Sequence, residues 1–431
     1  MDHTIDTQAV VVIAACVVLW GLLSARLERM DVTAPIAFVL LGVTVTNPPL
    51  SLIDFNLHSS TVEQLAEATL ALVLFVDASR VNVRALRADV FVPVRLLAVG
   101  LPLTIAAGTA AALAVFGGIN FWVAALIGAI VAPTDAALAA PILHDQRVPE
   151  AVRRVLNVES GLNDGIVTPF VGLFLAAAVA DETVHSAGVG QAALALVYGA
   201  AIGVGVGVAG AAALLVATRR RWSAPVFRPL AVLGLAVLAY AASIEAGGNG
   251  FVAAFLGGMA FGTLMPTDDG LTVGFTDEAG ELLSLLVWFI FGAALVPALE
   301  HANWQDLVFA VLALTIVRLG PVAVALFDAD LDQATVWFVG WFGPRGLASV
   351  IFGLIAFDTL ATPDANQVLA AVTVTVALSV VVHGVTASPL AERYGARATG
   401  LHPERPEHAS ATPLRTRSLA AGHRHRDGRA T

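Results

Sequence analysis

The chain has 431 residues, of which 58% are hydrophobic and only 13% are charged, whereas a soluble domain carries roughly a quarter charged residues. This composition predicts an integral membrane protein. The net charge of −10 argues against nucleic acid as a partner, and the single cysteine, Cys16, excludes a disulfide framework and a thiolate metal site.

Thirteen apolar segments predict membrane-spanning helices, because a helix needs about 20 mostly apolar residues to cross the hydrocarbon core. The residues before the first segment lack a basic region, so we expect a retained span and not a cleaved signal. The predicted fold class is therefore an all-α polytopic membrane protein with about 13 transmembrane helices. The segments lie near 9–25, 33–52, 61–78, 92–116, 121–143, 154–179, 190–217, 229–246, 250–265, 280–299, 304–327, 334–357 and 366–389.

Arginines predict the orientation of the chain, since all 23 basic residues are arginines. They flank the loops after the first, third, fifth and seventh segments, and the loops between these have none. Under the positive-inside rule the arginine-bearing loops face the cytoplasm, which puts the N-terminus outside and the C-terminus inside. Residues 391–431 are polar and rich in proline, arginine and histidine, so we expect a disordered cytoplasmic tail.

A few ionisable residues lie inside the predicted spans and away from their ends. A charge near the bilayer centre costs on the order of 3 kcal/mol on insertion scales, so such residues are retained when they are paired or bind something. Each is therefore a candidate functional residue. They are Glu67, Asp135, Glu159, Asp164, Arg318 and Arg345.

The stretch NVESGLNDG, residues 157–165, places several oxygen-bearing side chains in the sixth span. Side chains four residues apart share a strip of a helix, so Glu159 lies beside Asn163 and Ser160 lies beside Asp164. Carboxylate, hydroxyl and amide oxygens suit hard cations such as Na⁺, and no soft ligand is present. The alternative is a polar seam that joins neighbouring helices.

The fifth span is interrupted by proline in the stretch IVAPTDAALAAPIL. Pro133 and Pro141 each disturb the helix, and a broken helix at membrane depth is tolerated in a protein interior or a cavity wall. The freed carbonyls near Thr134, with Asp135 beside them, can coordinate a cation. A structural kink with Asp135 as a helix cap is the alternative.

The twelfth span is interrupted in a similar way by WFGPRG, residues 341–346. Arg345 lies inside this break, and a buried guanidinium needs a partner, for which Glu159 is the predicted candidate. This pairing would leave Asp164 as the carboxylate that exchanges its charge.

The interrupted spans are seven apart, so the two halves of the chain would run in opposite directions. Spans 1–6 and 8–13 would form an inverted repeat, with the seventh span as a linker. Interrupted segments at corresponding positions of two halves are typical of the binding site of a secondary transporter.

These motifs together resemble the monovalent cation:proton antiporter 1 family, which contains the bacterial NhaP-type and animal Na⁺/H⁺ exchangers. The resemblance rests on Glu-Ser-Gly-Leu-Asn-Asp at 159–164, Thr-Asp at 134–135, Gly-Pro-Arg-Gly at 343–346 and LAEATLALVLFVDASR at 65–80. It extends over nearly all of residues 9–390.

The resemblance implies a homodimer in which each chain has a dimerisation domain and a six-helix core with two crossed, partly unwound helices. Within a transmembrane domain of residues 1–390, we therefore expect core spans at about 92–179 and 304–389. The dimer-domain spans would lie at about 9–78 and 190–299.

The resemblance also implies an ion site and two further roles for buried charges. Na⁺ would bind at Asp164, Ser160, Thr134 and Asp135, with Asn163 in the same site and Glu67 contributing through water. Glu159 and Arg345 would form a buried ion pair. Arg318 resembles a second intramembrane arginine that is associated with pH response or structure.

The expected function is exchange of Na⁺ (or Li⁺) for H⁺ across the cytoplasmic membrane, by competition of the two ions at Asp164. Because Asn163 stands where electrogenic relatives carry a second aspartate, the resemblance implies electroneutral one-for-one exchange. No cofactor and no enzymatic reaction are expected; the substrates are the cation and the proton, and the surroundings are the lipid bilayer.

Three other functions remain open at this point. K⁺/H⁺ exchange is an alternative, because oxygen ligands alone do not fix the size of the site. A passive cation channel and an intramembrane aspartyl protease are more remote, and the chain lacks the Gly-x-Gly-Asp pattern of the protease. We interpret His383 as a packed, hydrogen-bonded residue, with a proton relay or pH sensor as the alternative.

Overall fold

The computed structural model describes residues 7–30, 32–53, 59–80, 91–183, 187–265, 270–402 and 405–408. Within these ranges the chain forms helices and connecting loops without a β-strand, which confirms the predicted all-α fold class. Arg84 and Arg87, two of the residues used to predict orientation, lie outside the described ranges.

Seventeen α-helices follow one another in the described part of the chain. They are α1 (Thr7–Glu28), α2 (Ala34–Thr46), α3 (Ser60–Arg80), α4 (Phe91–Arg95), α5 (Leu101–Val115), α6 (Phe121–Ile130), α7 (Ala140–Leu143), α8 (Glu150–Thr183), α9 (Ala187–Arg219), α10 (Arg228–Glu245), α11 (Gly250–Leu264), α12 (Gly270–His301), α13 (Trp304–Leu314), α14 (Ile316–Ala325), α15 (Gln333–Trp341), α16 (Leu347–Thr359) and α17 (Asp364–Ala398). A π-helical turn at Leu96–Gly100 joins α4 to α5, and 3₁₀ turns cover Pro225–Phe227 and Pro406–His408.

Eight helical stretches in the described ranges are long and apolar enough to cross a membrane. They are Thr7–Glu28, Phe91–Val115, Glu150–Asp181, Gly190–Arg219, Pro225–Glu245, Val273–Glu300, Trp304–Ala325 and Asp364–Ala398. Shorter apolar helices are α2, α6, α11 and α16. Each of the thirteen predicted segments contains helix, and the count of thirteen crossings stays a prediction.

Both predicted interruptions are present. Helix α6 ends at Ile130, three residues before Pro133, and the chain is irregular until α7 begins; α15 and α16 are separated by residues 342–346. The expectation for Pro141 is wrong, because this residue lies in the first turn of α7, where its missing N–H is not needed. A third interruption, at Thr315 between α13 and α14, was not predicted.

Helices predicted for the dimerisation domain pack closely through small residues. Along α9, Gly203 and Gly207 face Ala253 and Gly257 of α11, and a Cβ atom on either α9 glycine would clash with the α11 backbone. Lipid provides no hydrophobic drive between helices, so close backbone contact is what holds such a pair together. Helices α3 and α10 also pack on α11, and α2 packs on α12. The division into two domains stays a prediction.

The predicted tail is wrong in its first part, because α17 continues to Ala398. Ala391, Tyr394 and Ala398 recur at helical spacing, are buried, and extend the apolar face of α17. Tyr394 stacks on Phe338 of α15 with ring centroids 4.1 Å apart. Disorder beyond this region stays a prediction, since residues 409–431 lie outside the described ranges.

Candidate functional site

The two interrupted helices meet at Asp135. Its carboxylate accepts hydrogen bonds from backbone N–H groups of both breaks. Its Oδ1 accepts hydrogen bonds from the backbone N–H groups of Ala137 at 2.7 Å and Leu138 at 3.1 Å. Its Oδ2 accepts from the N–H of Leu347, the first residue of α16, at 2.8 Å. The backbone N–H of Asp135 in turn donates to the carbonyl of Pro344 at 2.8 Å. This geometry supports the alternative in which Asp135 is a helix cap.

Gly346 makes this capping contact possible. A Cβ atom on Gly346 would clash with the Asp135 carboxylate, so a side chain here would push the cap away from α16. Direct contact of Asp135 with a cation stays a prediction, and it would have to share oxygens that already accept three N–H groups.

Arg345 is fully buried and reaches the irregular segment that follows α6. Its Nη1 donates to the carbonyl oxygens of Ala132 and, at 3.2 Å, Pro133, and its Nη2 donates to the carbonyl of Ala313 at 3.4 Å. Ala132 and Pro133 lie beyond the last residue of α6, and Ala313 lies in the last turn of α13, so these buried carbonyls need donors from outside their own helices. The guanidinium of Arg345 supplies these donors.

The predicted partner of this arginine is wrong. Glu159 pairs with Arg318, whose Nη1 lies 2.6 Å from Oε1 and whose Nη2 lies 2.8 Å from Oε2. Both residues are 3% exposed, and the contact is bidentate. The unpredicted interruption at Thr315 starts a new helix just before Arg318, while the carbonyls freed near Pro133 provide Arg345 with acceptors that sequence spacing does not locate.

The Arg318–Glu159 pair also lies against the second break. A Cβ atom on Gly343 would approach Nε of Arg318 to 2.6 Å, so only glycine leaves room for the guanidinium here. Arg318 therefore has a structural contact with the site region, and a role in pH response stays a prediction.

A polar cluster joins the first break to α8. The hydroxyls of Thr134 and Ser160 lie 3.0 Å apart, and Nδ2 of Asn163 donates to Oγ1 of Thr134 at 2.7 Å. All three side chains are at most 4% exposed. The Oδ1 atom of Asn163 is buried and has no hydrogen-bond donor within the described ranges. Such an orphaned acceptor is costly unless a further group, such as a cation, approaches it.

Asp164 follows directly on α8 and is 8% exposed. It lies one turn beyond Ser160 on the same strip of the helix, so helical geometry puts its carboxylate next to this cluster. The neighbouring Gly165 contacts the ring of Phe255 on α11, where a Cβ atom would clash. The predicted carboxylate is thus in the protein interior and does not face lipid on an outer helix surface.

Glu67 is half-buried on α3, and its carboxylate interacts with the hydroxyl of Tyr240 on α10. It also contributes to the negative potential at Glu63. The hydrogen bonds that join Thr134, Ser160 and Asn163 do not include it, so its contribution to the site stays a prediction.

A buried ion-pair cluster around Arg80 was missing from the predicted set of intramembrane charges. Asp77 and Asp277 are each 7% exposed, and Arg80 forms ion pairs with both, at 3.6 Å from Asp77 Oδ1. The sequence pattern put these residues at helix ends or in a loop, but α12 begins ten residues earlier than its predicted span and carries Asp277 against α3.

The interpretation of His383 as a packed, hydrogen-bonded residue agrees with its geometry. It is 3% exposed, and Nε2 lies 2.9 Å from the carbonyl of Trp341. Its Nδ1 lies 2.9 Å from the carbonyl and 3.1 Å from the hydroxyl oxygen of Ser379. Ser379 was not a predicted candidate, because a serine inside an apolar helix has no distinctive signal.

The sequence matches one family profile, described as the transmembrane part of sodium/hydrogen exchangers, over residues 11–393. The chain is 26% identical over 379 residues to the K(+)/H(+) antiporter NhaP of Alkalimonas amylolytica, covering 85% of this chain and 64% of that protein. It is 23% identical over 359 residues to the Na(+)/H(+) antiporter ApNhaP of Aphanothece halophytica, covering 80% and 67%.

The structure is similar to that of the sodium proton antiporter MjNhaP1 from Methanocaldococcus jannaschii. The TM-score is 0.70 at 20% sequence identity, and the match covers 90% of this chain and 98% of the other. At this identity the similarity shows a shared fold.

Proposed function

Because the chain belongs to the sodium/hydrogen exchanger family, we propose that it is a secondary active antiporter that exchanges Na⁺ (or Li⁺) for H⁺ across the cytoplasmic membrane. The observation that supports this best is the buried cluster of Thr134, Ser160 and Asn163 beside Asp164, where two interrupted helices cross. Interrupted helices at membrane depth are a feature of ion sites in secondary transporters.

The chemistry of the cluster suits a small hard cation. Ser160 and Thr134 offer hydroxyl oxygens, Asn163 offers an amide oxygen that lacks a donor among the described residues, and Asp164 offers the negative charge. The Nδ2 atom of Asn163 donates to Thr134, which turns the amide oxygen away from that hydroxyl. Asn163 thus orients the cluster and also presents an acceptor.

Exchange follows from competition for one carboxylate. Protonated Asp164 is a poor cation ligand, and a cation bound there displaces the proton. A buried, empty and ionised carboxylate is costly, so the two loaded states are the ones that cross between the sides of the membrane. Moving the core against the dimerisation domain would then expose the site alternately to either side.

The capping groups around the crossing keep the site charge-balanced during this cycle. Glu159 is neutralised by Arg318, Asp135 accepts from the first N–H of α16, and Arg345 donates to backbone carbonyls. We assign the change of occupancy to Asp164, because helical spacing puts its carboxylate beside the hydroxyls and the amide oxygen of the cluster. One exchangeable charge fits electroneutral one-for-one exchange, and clamping the membrane potential to zero should then leave the exchange rate unchanged.

The proposed assembly and topology follow the family. We expect a homodimer in the cytoplasmic membrane, with the N-terminus outside and the C-terminus in the cytoplasm. Arg147, in the loop between α7 and α8, is one of the arginines that favour this orientation.

K⁺/H⁺ exchange is the second candidate, because the relative from Alkalimonas amylolytica bears that name. Hydroxyl, amide and carboxylate oxygens serve both ions, and selectivity depends on the size and rigidity of the site.

The test is exchange in proteoliposomes, monitored with a pH-sensitive dye against Li⁺, Na⁺, K⁺ and Rb⁺ over a range of pH. Asp164→Asn preserves the size of the side chain and removes its charge, so it should insert normally and lose exchange for every cation. Retained exchange in this variant would overturn the central role of Asp164. Cation flux without proton flux in the wild-type protein would indicate a channel.

A further inference from the structure

Two side chains of α17 hold the second interrupted helix across its break. Nε2 of His383 lies 2.9 Å from the carbonyl oxygen of Trp341, the last residue of α15. Oγ of Ser379 accepts a hydrogen bond from the backbone N–H of Arg345 at 2.7 Å and lies 3.1 Å from Nδ1 of His383. We call this pair of hydrogen-bonded side chains, Ser379 and His383, the relay. The relay connects the start of the break at Trp341 with its end at Arg345.

Both ring nitrogens of His383 lie against carbonyl oxygens, which only accept hydrogen bonds. Nε2 lies 2.9 Å from the carbonyl of Trp341, and Nδ1 lies 2.9 Å from the carbonyl of Ser379. A neutral imidazole has one N–H, so it donates to one of these carbonyls at a time. In the tautomer with the proton on Nε2, the ring donates to Trp341 and the hydroxyl of Ser379 can donate to Nδ1. Ser379 is 0% exposed and His383 is 3% exposed, so water does not replace these bonds.

The segment held by this relay faces the candidate ion site. Residues 343–345 lie outside the helical hydrogen bonds of α15 and α16, so other contacts hold them in place. These are the backbone hydrogen bonds from Gly343 to Trp341 and from Asp135 to Pro344, and the side-chain contact of Ser379 with Arg345. The backbone of Arg345 fixes where its guanidinium reaches the carbonyls of Ala132 and Pro133. Two residues later, the N–H of Leu347 meets the carboxylate of Asp135. A shift of the break would therefore move Pro133 and Asp135, the two residues that flank Thr134.

We propose that Ser379 and His383 are positioning residues of the ion site, which set its geometry from α17 by clamping the break between α15 and α16. This role rests on the proposed antiport function. Neither residue needs to touch the cation. The clamp acts through Arg345 and Leu347 on residues 132–135, and so it sets the cation affinity of the site.

Four variants separate the two arms of the relay. The side-chain nitrogen of Gln can replace Nε2 of a histidine, whereas the amide of Asn reaches only the position of Nδ1. His383→Gln therefore preserves the arm to Trp341, His383→Asn preserves the arm to Ser379, and His383→Leu removes both. Ser379→Ala removes the link to the backbone of Arg345.

Matched controls lie on the same helix. Thr375 is buried, and its hydroxyl donates to Ala371 within α17, so Thr375→Val removes a hydroxyl that does not touch the break. Thr386 accepts from the indole Nε1 of Trp341 at 3.1 Å. Thr386→Val therefore disturbs the side chain of Trp341 and leaves its carbonyl in place.

In proteoliposomes, Ser379→Ala and His383→Leu should raise the half-saturating cation concentration about five- to tenfold, on the scale of one buried hydrogen bond. His383→Gln should recover part of this loss, and both threonine controls should match the wild type. A purely structural role would lower the maximal rate through lost folded protein and leave half-saturation unchanged.

Amide hydrogen exchange of residues 343–348 gives a readout that does not need transport. Ser379→Ala and His383→Leu should exchange faster there than the wild type and the controls. Wild-type half-saturation together with wild-type amide exchange in both variants would overturn the clamp. If the wild-type protein exchanges no cation, the proposed function fails, and the amide exchange still decides whether the clamp exists.

Discussion

Two buried arginines in the core are stabilised by different kinds of partner. Arg318 forms a bidentate ion pair with Glu159, so one charge is balanced by another. Arg345 donates to the carbonyls of Ala132 and Pro133 in the segment after α6, so its charge is balanced by backbone oxygens. The first arrangement depends on a single side chain, and the second depends on the course of the main chain.

This difference decides which substitutions can be compensated. A side-chain partner can be replaced together with its arginine, because apolar groups of similar volume can fill the space of a buried ion pair. Backbone carbonyls cannot be removed by mutation. The site therefore combines an ion pair at Glu159, which mutation can replace, with backbone acceptors at Arg345, which mutation cannot remove.

The largest effect is expected for Arg345→Met, which preserves much of the length of the side chain and removes every donor. The carbonyls of Ala132, Pro133 and Ala313 would lose a donor, and each unsatisfied buried carbonyl costs about 1–3 kcal/mol. The variant should give little folded protein in detergent by size-exclusion chromatography and a melting temperature well below wild type. Wild-type melting would show that these carbonyls find other donors.

A smaller effect that can be compensated is expected at the ion pair. Glu159→Leu or Arg318→Met alone leaves a buried charge and should cost about 3–5 kcal/mol, measured as a fall in thermal stability. The double variant should recover most of this loss. Glu159→Leu combined with Arg345→Met is the matched control and should show no recovery, whereas recovery there and not with Arg318 would favour the Glu159–Arg345 pairing.

The smallest effect is expected for Arg397, whose side chain is exposed to solvent. Arg397 lies 3.0 Å from Asp332, the N-cap of α15, and this hydrogen bond lowers the pKa of the Asp332 carboxyl below its usual range. A lowered pKa stabilises the fold above the unfolded value of about 4 and loses that contribution as pH falls through the folded value. Arg397→Gln should therefore lower the melting temperature slightly at pH 7, and this loss should shrink as the pH falls below about 4. An equal loss above and below this pH would mean that Arg397 acts by packing.

Much of the site could be predicted because its signals are local. Proline and glycine interrupt a helix wherever they occur, and a charge inside an apolar span is costly in any fold, so both breaks and the polar stretch of α8 were recognisable. The buried Asp135 and Asp164 follow from the same arguments.

The partners within the site could not be predicted in the same way. The spacing of Glu159, Arg318 and Arg345 along the chain gives no information on which guanidinium reaches the carboxylate. That choice depends on the interruption at Thr315 and on the carbonyls of Ala132 and Pro133 in the segment after α6. The sequence predicts a loop at Asp277, because the first residues of α12 are as polar as a loop.

The C-terminal region shows the same limit. Residues beyond 391 are polar in composition, yet Glu407 is 1% exposed and its Oε1 accepts from the N–H of Asp332 at 2.7 Å and from the hydroxyl of Thr335 at 2.8 Å. A polar segment can be held by satisfying the free N–H groups at the start of a helix, and composition does not reveal where that start lies.

The sequence by itself determined the membrane class, the two interrupted spans and the buried oxygen-bearing residues of α8, because hydrophobicity and backbone restriction act within a few residues. The tertiary structure alone decided that Arg318 pairs with Glu159, that Arg345 donates to the carbonyls after α6, and that Ser379 and His383 contact the two ends of the second break. Hydrogen bonds and ion pairs between helices depend on how far each helix continues and on how the helices cross, and those distances exist only in the folded chain.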